Sequence, residues 1–494
     1  MTLALLTQLS IHSRKRPDAV AIREVNGTNQ ASREVTFHQL SCMVAAMART
    51  LEQAVSPGDV VVICQANRIE CTVAFLGTLQ ARAVGFLVNP SASDHELRNA
   101  AKVAGATAMI APPEKHAHVS GLGLTQFAPP ELASAHESID PVRLTSPDDY
   151  RGSGLMLLSS GTTGDPKIAM RSGPSLDAVA RNVSEATGLQ ANDRVLGMIP
   201  LCHSYGVEHG ILAPTYAGCA VHLCRGFDTR VVIEQLTSGA VTVLPGVPSI
   251  FELLARWGDG TTAFPQLRCA YSAGSQLPMT IFDACQRQLQ LRVGQLYGSS
   301  EVGSVTFNSP HAPGHDPMSS GLPMTGVITA IVDPQSQSLD HPLPPGVEGE
   351  LAIHAPSMLD GYVGQNEPSI HNGYFLTGDL ARVNTAGQLT ITGRIKLLID
   401  VGALKVNPLE VESVLAQHDE VQDCVVVGTP VTDTISRVRA VVVPRDIDNP
   451  PSSESLRHFA RARLSAHKVP RVIDITESLP KSPTGKILRR QIAS

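Results

Sequence analysis

Leu155-Met156-Leu157-Leu158-Ser159-Ser160-Gly161-Thr162-Thr163-Gly164-Asp165-Pro166-Lys167 decides how this chain is read. Four apolar residues run into six hydroxyl or glycine positions, and a lysine closes the segment. The pattern predicts a buried strand that ends in a polar loop. Glycines let backbone N–H groups come close to an anion, and hydroxyls and an ammonium add further donors. A triphosphate is the natural guest of such a loop. The spacing excludes the common P-loop, which needs four residues between its first glycine and a Gly-Lys-Ser/Thr triplet that opens a helix. Here Gly161 is followed by Gly164, and Lys167 follows a proline.

Outward from this loop, short apolar runs alternate with helix-like stretches. Strands are expected at Val60 to Cys64, Val84 to Val88, Ala106 to Ala111, Arg194 to Ile199, Cys219 to Leu223, Val241 to Leu244, Leu267 to Tyr271 and Leu291 to Leu296. Strand–helix alternation implies βα units, mostly parallel sheets, and ligands at the carboxyl ends of strands. The loop at Ser159 begins after a strand, and so do Ser272 to Ser275 and Tyr297 to Glu301. Glycine, proline and short β-like runs dominate from Gly321 to Gly393, which predicts an antiparallel subdomain with tight turns. The chain then turns to an α+β pattern of about one hundred residues, an ordinary size for an independent unit. The expected fold class is α/β. A large N-terminal domain of doubly wound, mostly parallel sheets (1–394, with a β-rich part at about 305–393) precedes a hinge at 395–396 and a smaller, mobile α+β domain at 397–494.

The 494 residues exceed one ordinary core. At 43% hydrophobic and 17% charged, the chain reads as a soluble globular protein. A net charge of −6 with no basic block argues against nucleic acid as partner. A single tryptophan leaves few platforms for stacking single strands. Nine scattered cysteines without a C-x-x-C pair read as reduced thiols of a cytoplasmic protein. No apolar run approaches the roughly 20 residues of a membrane span. The basic Arg14-Lys15-Arg16 follows the apolar Leu3 to Leu6, the wrong order for a signal peptide. Nothing in the composition fixes an oligomeric state.

Five motifs in order carry a resemblance over nearly the whole chain: the loop at Ser159 to Lys167, Tyr297-Gly298-Ser299-Ser300-Glu301, Thr377-Gly378-Asp379, Gly393-Arg394-Ile395-Lys396, and Pro480 to Lys486. Together they resemble the adenylate-forming superfamily of acyl- and aryl-CoA ligases, luciferases and amino-acid adenylation domains. That resemblance implies two half-reactions. A carboxylate attacks the α-phosphorus of ATP to give an acyl-adenylate and pyrophosphate. A thiol, usually that of CoA, then takes the acyl group and releases AMP. Bringing anions together calls for cationic and metal stabilisation more than for a base.

By the same resemblance, Ser159, Ser160, Gly161, Thr162, Thr163, Gly164 and Lys167 hold the outer phosphates. Glu301 helps bind Mg²⁺, a hard cation that seeks oxygen. Ser300 contacts the phosphate region, and Tyr297 with Gly298 stacks on adenine beside Ala273, Gly274 and Ser275. Asp379 accepts from the ribose hydroxyls, and Arg394 supports the nucleotide. Lys486 bridges the substrate carboxylate and the α-phosphate. Lys396 marks the hinge, whose rotation withdraws Lys486 and brings Gly402 to the pantetheine tunnel.

His203 matches the aromatic residue beside the reacting carboxylate. Tyr205, His209, Tyr271, Ala273, Gly298 and Gly303 are the other candidates for the acyl pocket. Amino-acid adenylation domains carry an aspartate one place after the His203 position; here it is Ser204. An α-ammonium would stand unpaired there, at a cost on the order of several kcal/mol. The expected substrate is therefore an acid without an α-amino group, aryl or short- to medium-chain. The acceptor is CoA or the phosphopantetheine thiol of an acyl carrier protein. A non-catalytic nucleotide-binding protein on the same scaffold is the remaining alternative. Two departures stand out: Ile168 replaces the usual glycine after the loop lysine, and Gly173 replaces a frequent histidine.

Overall fold

The computed structural model describes the chain apart from residues 1–2, 26–32, 120, 130–151, 159–166, 365–369, 402–403, 433–434, 465, 482–486 and 494. Contacts divide it into two units. One comprises Met1–Ile328 with Ile353–Phe375, the other Thr329–Ala352 with Leu376–Ser494.

The first unit holds two large sheets. In the nine-stranded sheet, Val20–Val25, Ala220–Cys224, Arg194–Gly197, Val243–Gly246, Cys269–Ser272 and Gly294–Ser299 run parallel in that spatial order. Antiparallel Gly303–Asn308 and Leu322–Pro323 extend one edge, and Glu34–Thr36 the other. In the seven-stranded sheet, Thr125–Phe127, Ala106–Ile110, Val60–Cys64, Val84–Val88 and Gly154–Leu158 are parallel. Ile168–Ser172 and Gly361–Tyr362 close it antiparallel. Val60–Cys64 and Val84–Val88 are buried along their whole length, as apolar runs of parallel strands covered on both faces must be. Helix Ile69–Gln80 is apolar nearly all round and accordingly buried. Its neighbour Phe37–Leu51 starts on a capping box in which Thr36 and Gln39 satisfy each other's backbone N–H. Helix Gly173–Thr187 opens with Pro174 in its first turn and stops at Gly188 with φ +60°, the usual proline-in, glycine-out signature.

The second unit contains most of the strands Ile328–Val332, Gly349–His354 and Tyr374–Val383, with Leu389–Arg394 antiparallel to the last. Its C-terminal part pairs Val421–Thr432 antiparallel to Ile435–Pro444, which lies parallel to Val472–Ile475. Helices Pro408–Leu415 and Ser453–Arg461 cover this sheet through Val411, Leu415, Leu456 and Ala460. The expected hinge residues 395–396 lie inside this unit, in the 3-10 turn Ile395–Leu397. Among the described residues no helix is long and apolar enough to cross a membrane. All nine cysteines are free thiols.

Candidate active site

Strands Gly154–Leu158 and Ile168–Ser172 pair antiparallel with Leu158 opposite Ile168, so residues 159–167 connect the two arms of a hairpin. A strand, not a helix, follows Lys167, which again separates this loop from a P-loop. Residues 159–166 lie outside the described residues; Lys167 is exposed. Ile168 is only 3% exposed and packs with Val60, Val62 and Met156, so the departure from glycine serves the core rather than the ligand side.

The two-residue strand Gly361–Tyr362 pairs with Ile168–Ser172, placing Tyr362 opposite Ala169. The Lys167 ammonium lies 4.8 Å from the centre of the Tyr362 ring. The Tyr362 hydroxyl donates to Glu301 Oε1 at 3.0 Å. Burial, then the charge of Glu301, pushes the phenol well above its usual pKa, which keeps it a donor. One tyrosine thus links the loop lysine to the expected metal carboxylate. Sequence reading passed over it because an isolated Gly-Tyr in a glycine-rich stretch looks like any turn.

Glu301 lies in the turn between antiparallel strands Gly294–Ser299 and Gly303–Asn308. Two glycines shape that turn. A Cβ on Gly298 would lie 2.4 Å from the carbonyl oxygen of Gly303, and Gly303 itself has φ +71°. Tyr297, Ser300 and Glu301 are half-buried, a state that leaves polar atoms open to a ligand. Strand Cys269–Ser272 leads into Ala273, whose N–H donates to the Gly246 carbonyl. Gly274 (φ +86°) and Ser275 then turn outward and are exposed.

The expected pocket residues prove to surround a buried polar network. The chain from Ser204 to Ala217 is helical with a π-helical segment, Glu208–Leu212, in its middle, a distortion often found at functional sites. Glu208, 1% exposed, pairs with Arg171 at 2.5 Å and accepts from Ser204 Oγ at 2.6 Å. Its other oxygen accepts from the Ser304 N–H at 3.0 Å and the Ser304 hydroxyl at 2.6 Å. Burial raises the Glu208 pKa, but Arg171 and the hydroxyl donors outweigh it, so the carboxyl lies below its ordinary value.

Ser304 has one hydroxyl proton and gives it to Glu208. Its oxygen therefore accepts from His209 Nε2–H at 3.2 Å, and His209 Nδ1 accepts from the Tyr271 hydroxyl at 2.7 Å. Burial drives His209 down to about 4, so it is neutral near pH 7. Tyr205 packs edge-on against His209 and donates to the Tyr271 carbonyl at 3.4 Å. His203 caps the N-terminus of this segment, half-buried, with its pKa lowered by desolvation. The structure therefore joins His209, Tyr271, Tyr205 and, through Arg171, Gly303. It adds Arg171, Glu208 and Ser304, which the sequence reading missed. Their signal was present: a lone arginine in an apolar strand and a lone glutamate in an apolar helix call for each other.

In the second unit, Asp379 and Arg394 face each other across antiparallel strands, and the Arg394 guanidinium donates to the nearly buried Asp379 carboxylate. Thr377 Oγ1 donates to the Leu351 carbonyl at 2.9 Å and accepts from Asp379 N–H at 3.1 Å. Gly378 N–H donates to Glu350 at 3.1 Å. Thr377 to Asp379 is thus a fixed stretch of the strand Tyr374–Val383, with Gly378 at φ +70° and the Asp379 carboxylate held by Arg394. Lys396 lies in the 3-10 turn Ile395–Leu397. Gly402 and Lys486 lie outside the described residues. The flanks of the Lys486 segment are anchored. Lys481 bridges Ile487 in antiparallel fashion, and Lys481 Nζ meets Asp423 at 2.7 Å. Arg489 makes two hydrogen bonds to the buried-side carboxylate of Glu412, one at 2.7 Å.

Residues 9–363 match the family profile described as AMP-binding enzyme, and residues 410–486 that of the AMP-binding enzyme C-terminal domain. A feruloyl-CoA synthase from an Amycolatopsis species is 31% identical, covering 97% of this chain and 96% of the relative. An oxalate–CoA ligase from Arabidopsis thaliana is 29% identical, covering 91% and 90%. ATP-bound MatB from Rhodopseudomonas palustris shares the fold, with a TM-score of 0.90 at 23% identity and coverage of 100% and 98%.

Proposed function

The chain belongs to the AMP-binding enzymes, the adenylate-forming superfamily, and from that premise we propose that it is an ATP- and Mg²⁺-dependent carboxylic acid–CoA ligase. The observation that carries the reading is the string Lys167–Tyr362–Glu301, which puts a phosphate-type lysine and a metal-type carboxylate on one side chain. The relatives named as CoA ligases over nearly the full chain support the acceptor.

In the first half-reaction, a carboxylate oxygen of the acid bonds to the α-phosphorus as the α–β phosphoanhydride breaks and pyrophosphate leaves. The loop Ser159 to Lys167 grips the departing phosphates. Lys486 neutralises the charge at the α-phosphate, a task for a mobile ammonium. Tyr297 and the backbone of Ala273 to Ser275 take the adenine, and Asp379, held by Arg394, takes the ribose. Glu301 fits Mg²⁺: its oxygens are hard, half-buried and beside the expected phosphates, and one carboxylate with water and phosphate oxygens is an ordinary magnesium donor set. The cation would supply charge neutralisation at the phosphates. In the second half-reaction the thiol sulfur bonds to the acyl carbon and AMP leaves. Between the two half-reactions, rotation near Lys396 exchanges Lys486 for the segment at Gly402. The domain boundaries follow: an N-terminal part to residue 394, the hinge, and a mobile part from 397.

The acid lacks an α-amino group. Ser204 donates its hydroxyl to Glu208, and Glu208 is already satisfied by Arg171 and Ser304, so Glu208 is not left to pair with an ammonium. His203, Tyr205 and Tyr271 wall the pocket, which suits an aryl or a short- to medium-chain acyl group. Nine free thiols, all buried but Cys202, suit a cytoplasmic setting.

The test is pyrophosphate release across aryl, short-chain and medium-chain acids, followed by thioester formation with free CoA and, separately, with holo carrier protein. Release with a non-α-amino acid and transfer to free CoA are expected. Transfer to carrier protein alone would replace CoA as acceptor. ATP binding without release for any acid would favour a non-catalytic nucleotide-binding protein.

A further inference from the structure

Tyr362 touches both charged groups at the phosphate end of the first unit, and its place is fixed by backbone bonds rather than by the ligands it would serve. Val363 N–H donates to the Ile168 carbonyl at 2.9 Å, and Asp360 N–H to that of Met170 at 2.8 Å. Leu359 N–H donates to the Glu301 carbonyl at 2.7 Å, and the Ser357 hydroxyl to that of Val302 at 2.6 Å. Asp360 accepts from the Ser172 N–H at 2.6 Å and from its hydroxyl at 3.1 Å. The segment is stitched on one side to the strand that follows the phosphate loop and on the other to the turn that carries Glu301.

We propose that Tyr362 is a positioning residue for the magnesium-bound nucleotide. Its hydroxyl fixes one oxygen of the Glu301 carboxylate and leaves the other for the cation, and its ring lies against the Lys167 ammonium. The proposal rests on the reading of Glu301 as a magnesium ligand. Metal-binding carboxylates need an outer hydrogen-bond donor to fix their orientation, and loss of such a donor typically lowers metal affinity about 10- to 100-fold. The aromatic face offers Lys167 an alternative to Glu301, since ammonium groups are drawn to the negative face of a ring. With the ring gone, the Lys167 ammonium loses that contact.

The experiment needs no acid substrate. Thermal melting of the full chain is followed at fixed ATP while Mg²⁺ is titrated, for the wild type, Tyr362→Phe, Tyr362→Leu and Glu301→Gln. Direct Mn²⁺ binding in the presence of ATP is read in parallel by electron paramagnetic resonance. For Tyr362→Phe, the Mg²⁺ concentration giving half of the ATP-linked stabilisation should rise about 10-fold or more. Its ATP response in EDTA should stay that of the wild type. Tyr362→Leu should also weaken the response in EDTA, because Lys167 loses its ring. A midpoint for Tyr362→Phe equal to that of the wild type, with a raised midpoint for Glu301→Gln, overturns the proposal and leaves the metal reading standing. If Glu301→Gln also matches the wild type, the metal reading fails and the proposal with it. A lower melting temperature in Tyr362→Phe with an unmoved midpoint marks a structural role only and equally overturns it. Should Tyr362→Leu not fold, Tyr362→Phe decides alone.

Discussion

The cluster around Glu208 and the cluster around Glu301 hold the same chemical groups, a carboxylate, a cation and a tyrosine, at opposite stages of completion. Glu208 is buried and takes bonds from Arg171, Ser204 and both donors of Ser304. Glu301 is half-buried and, among the described residues, takes its hydrogen bond from Tyr362. A saturated, buried carboxylate shapes its surroundings and cannot take on a ligand without breaking a bond. A half-exposed carboxylate with one fixed oxygen keeps coordination capacity for an incoming ion. The first cluster is built as scaffold, and the second has the features of the proposed metal-binding group.

The contrast can be broken by removing the same charge from each. Glu208→Gln leaves Arg171 buried without a counter-charge and should destabilise the fold by about 3–5 kcal/mol, read by urea unfolding. Glu301→Gln should change stability by less than about 1 kcal/mol while removing the magnesium response. Equal stability losses would erase the distinction.

A second prediction concerns pH. His209 has its pKa lowered to about 4 in the fold, below its value of 6.5 in the open chain. The unfolded chain therefore binds the proton first as pH falls. The stability that neutral His209 contributes is complete above pH 6.5 and is lost between that value and about 4. At about 1.4 kcal/mol per unit, over about 2.5 units, the loss reaches at most about 3.5 kcal/mol. His209→Gln should flatten the difference between stabilities at pH 7 and pH 4.5, since glutamine carries no charge to lose. An unchanged slope would mean that His209 is not the neutral bridge between Tyr271 and Ser304.

A further effect, on stability and not on nucleotide binding, is expected at Ile168. Truncation to alanine in the core beside Val60 and Met156 should cost about 2–4 kcal/mol of stability. It should leave the ATP response within twofold of the wild type, because the side chain faces the core. A large loss of ATP response would place Ile168 in the phosphate site after all.

Much of the first unit was legible from sequence. Apolar runs such as Val60–Cys64 and Val84–Val88 can only be strands covered on both faces, and the structure has them so. Boundaries shifted where hydrogen bonding rather than hydropathy ends a strand: Val241 and Thr242 precede the strand Val243–Gly246, and Arg194–Gly197 stops short of Ile199. Motif residues such as Tyr297 and Asp379 could be singled out because their sequence neighbours form short ordered motifs, and both lie in strands. Arg171, Glu208 and Ser304 were overlooked: the lone arginine and the lone glutamate each signal a need for a partner, but only long-range pairing in the folded chain says which. Tyr362 escaped for the same reason: the 61 positions separating it from Glu301 close only in the folded chain.

The proposed role of Lys486 in adenylate formation is tested most directly by measuring the two half-reactions of Lys486→Ala separately. With an acid that supports turnover in the wild type, acid-dependent ATP–pyrophosphate exchange should fall by about 10²- to 10³-fold. Thioester formation from added acyl-adenylate and CoA should persist within about threefold if Lys486 serves the first half-reaction alone. Exchange at the wild-type rate in Lys486→Ala would contradict the account.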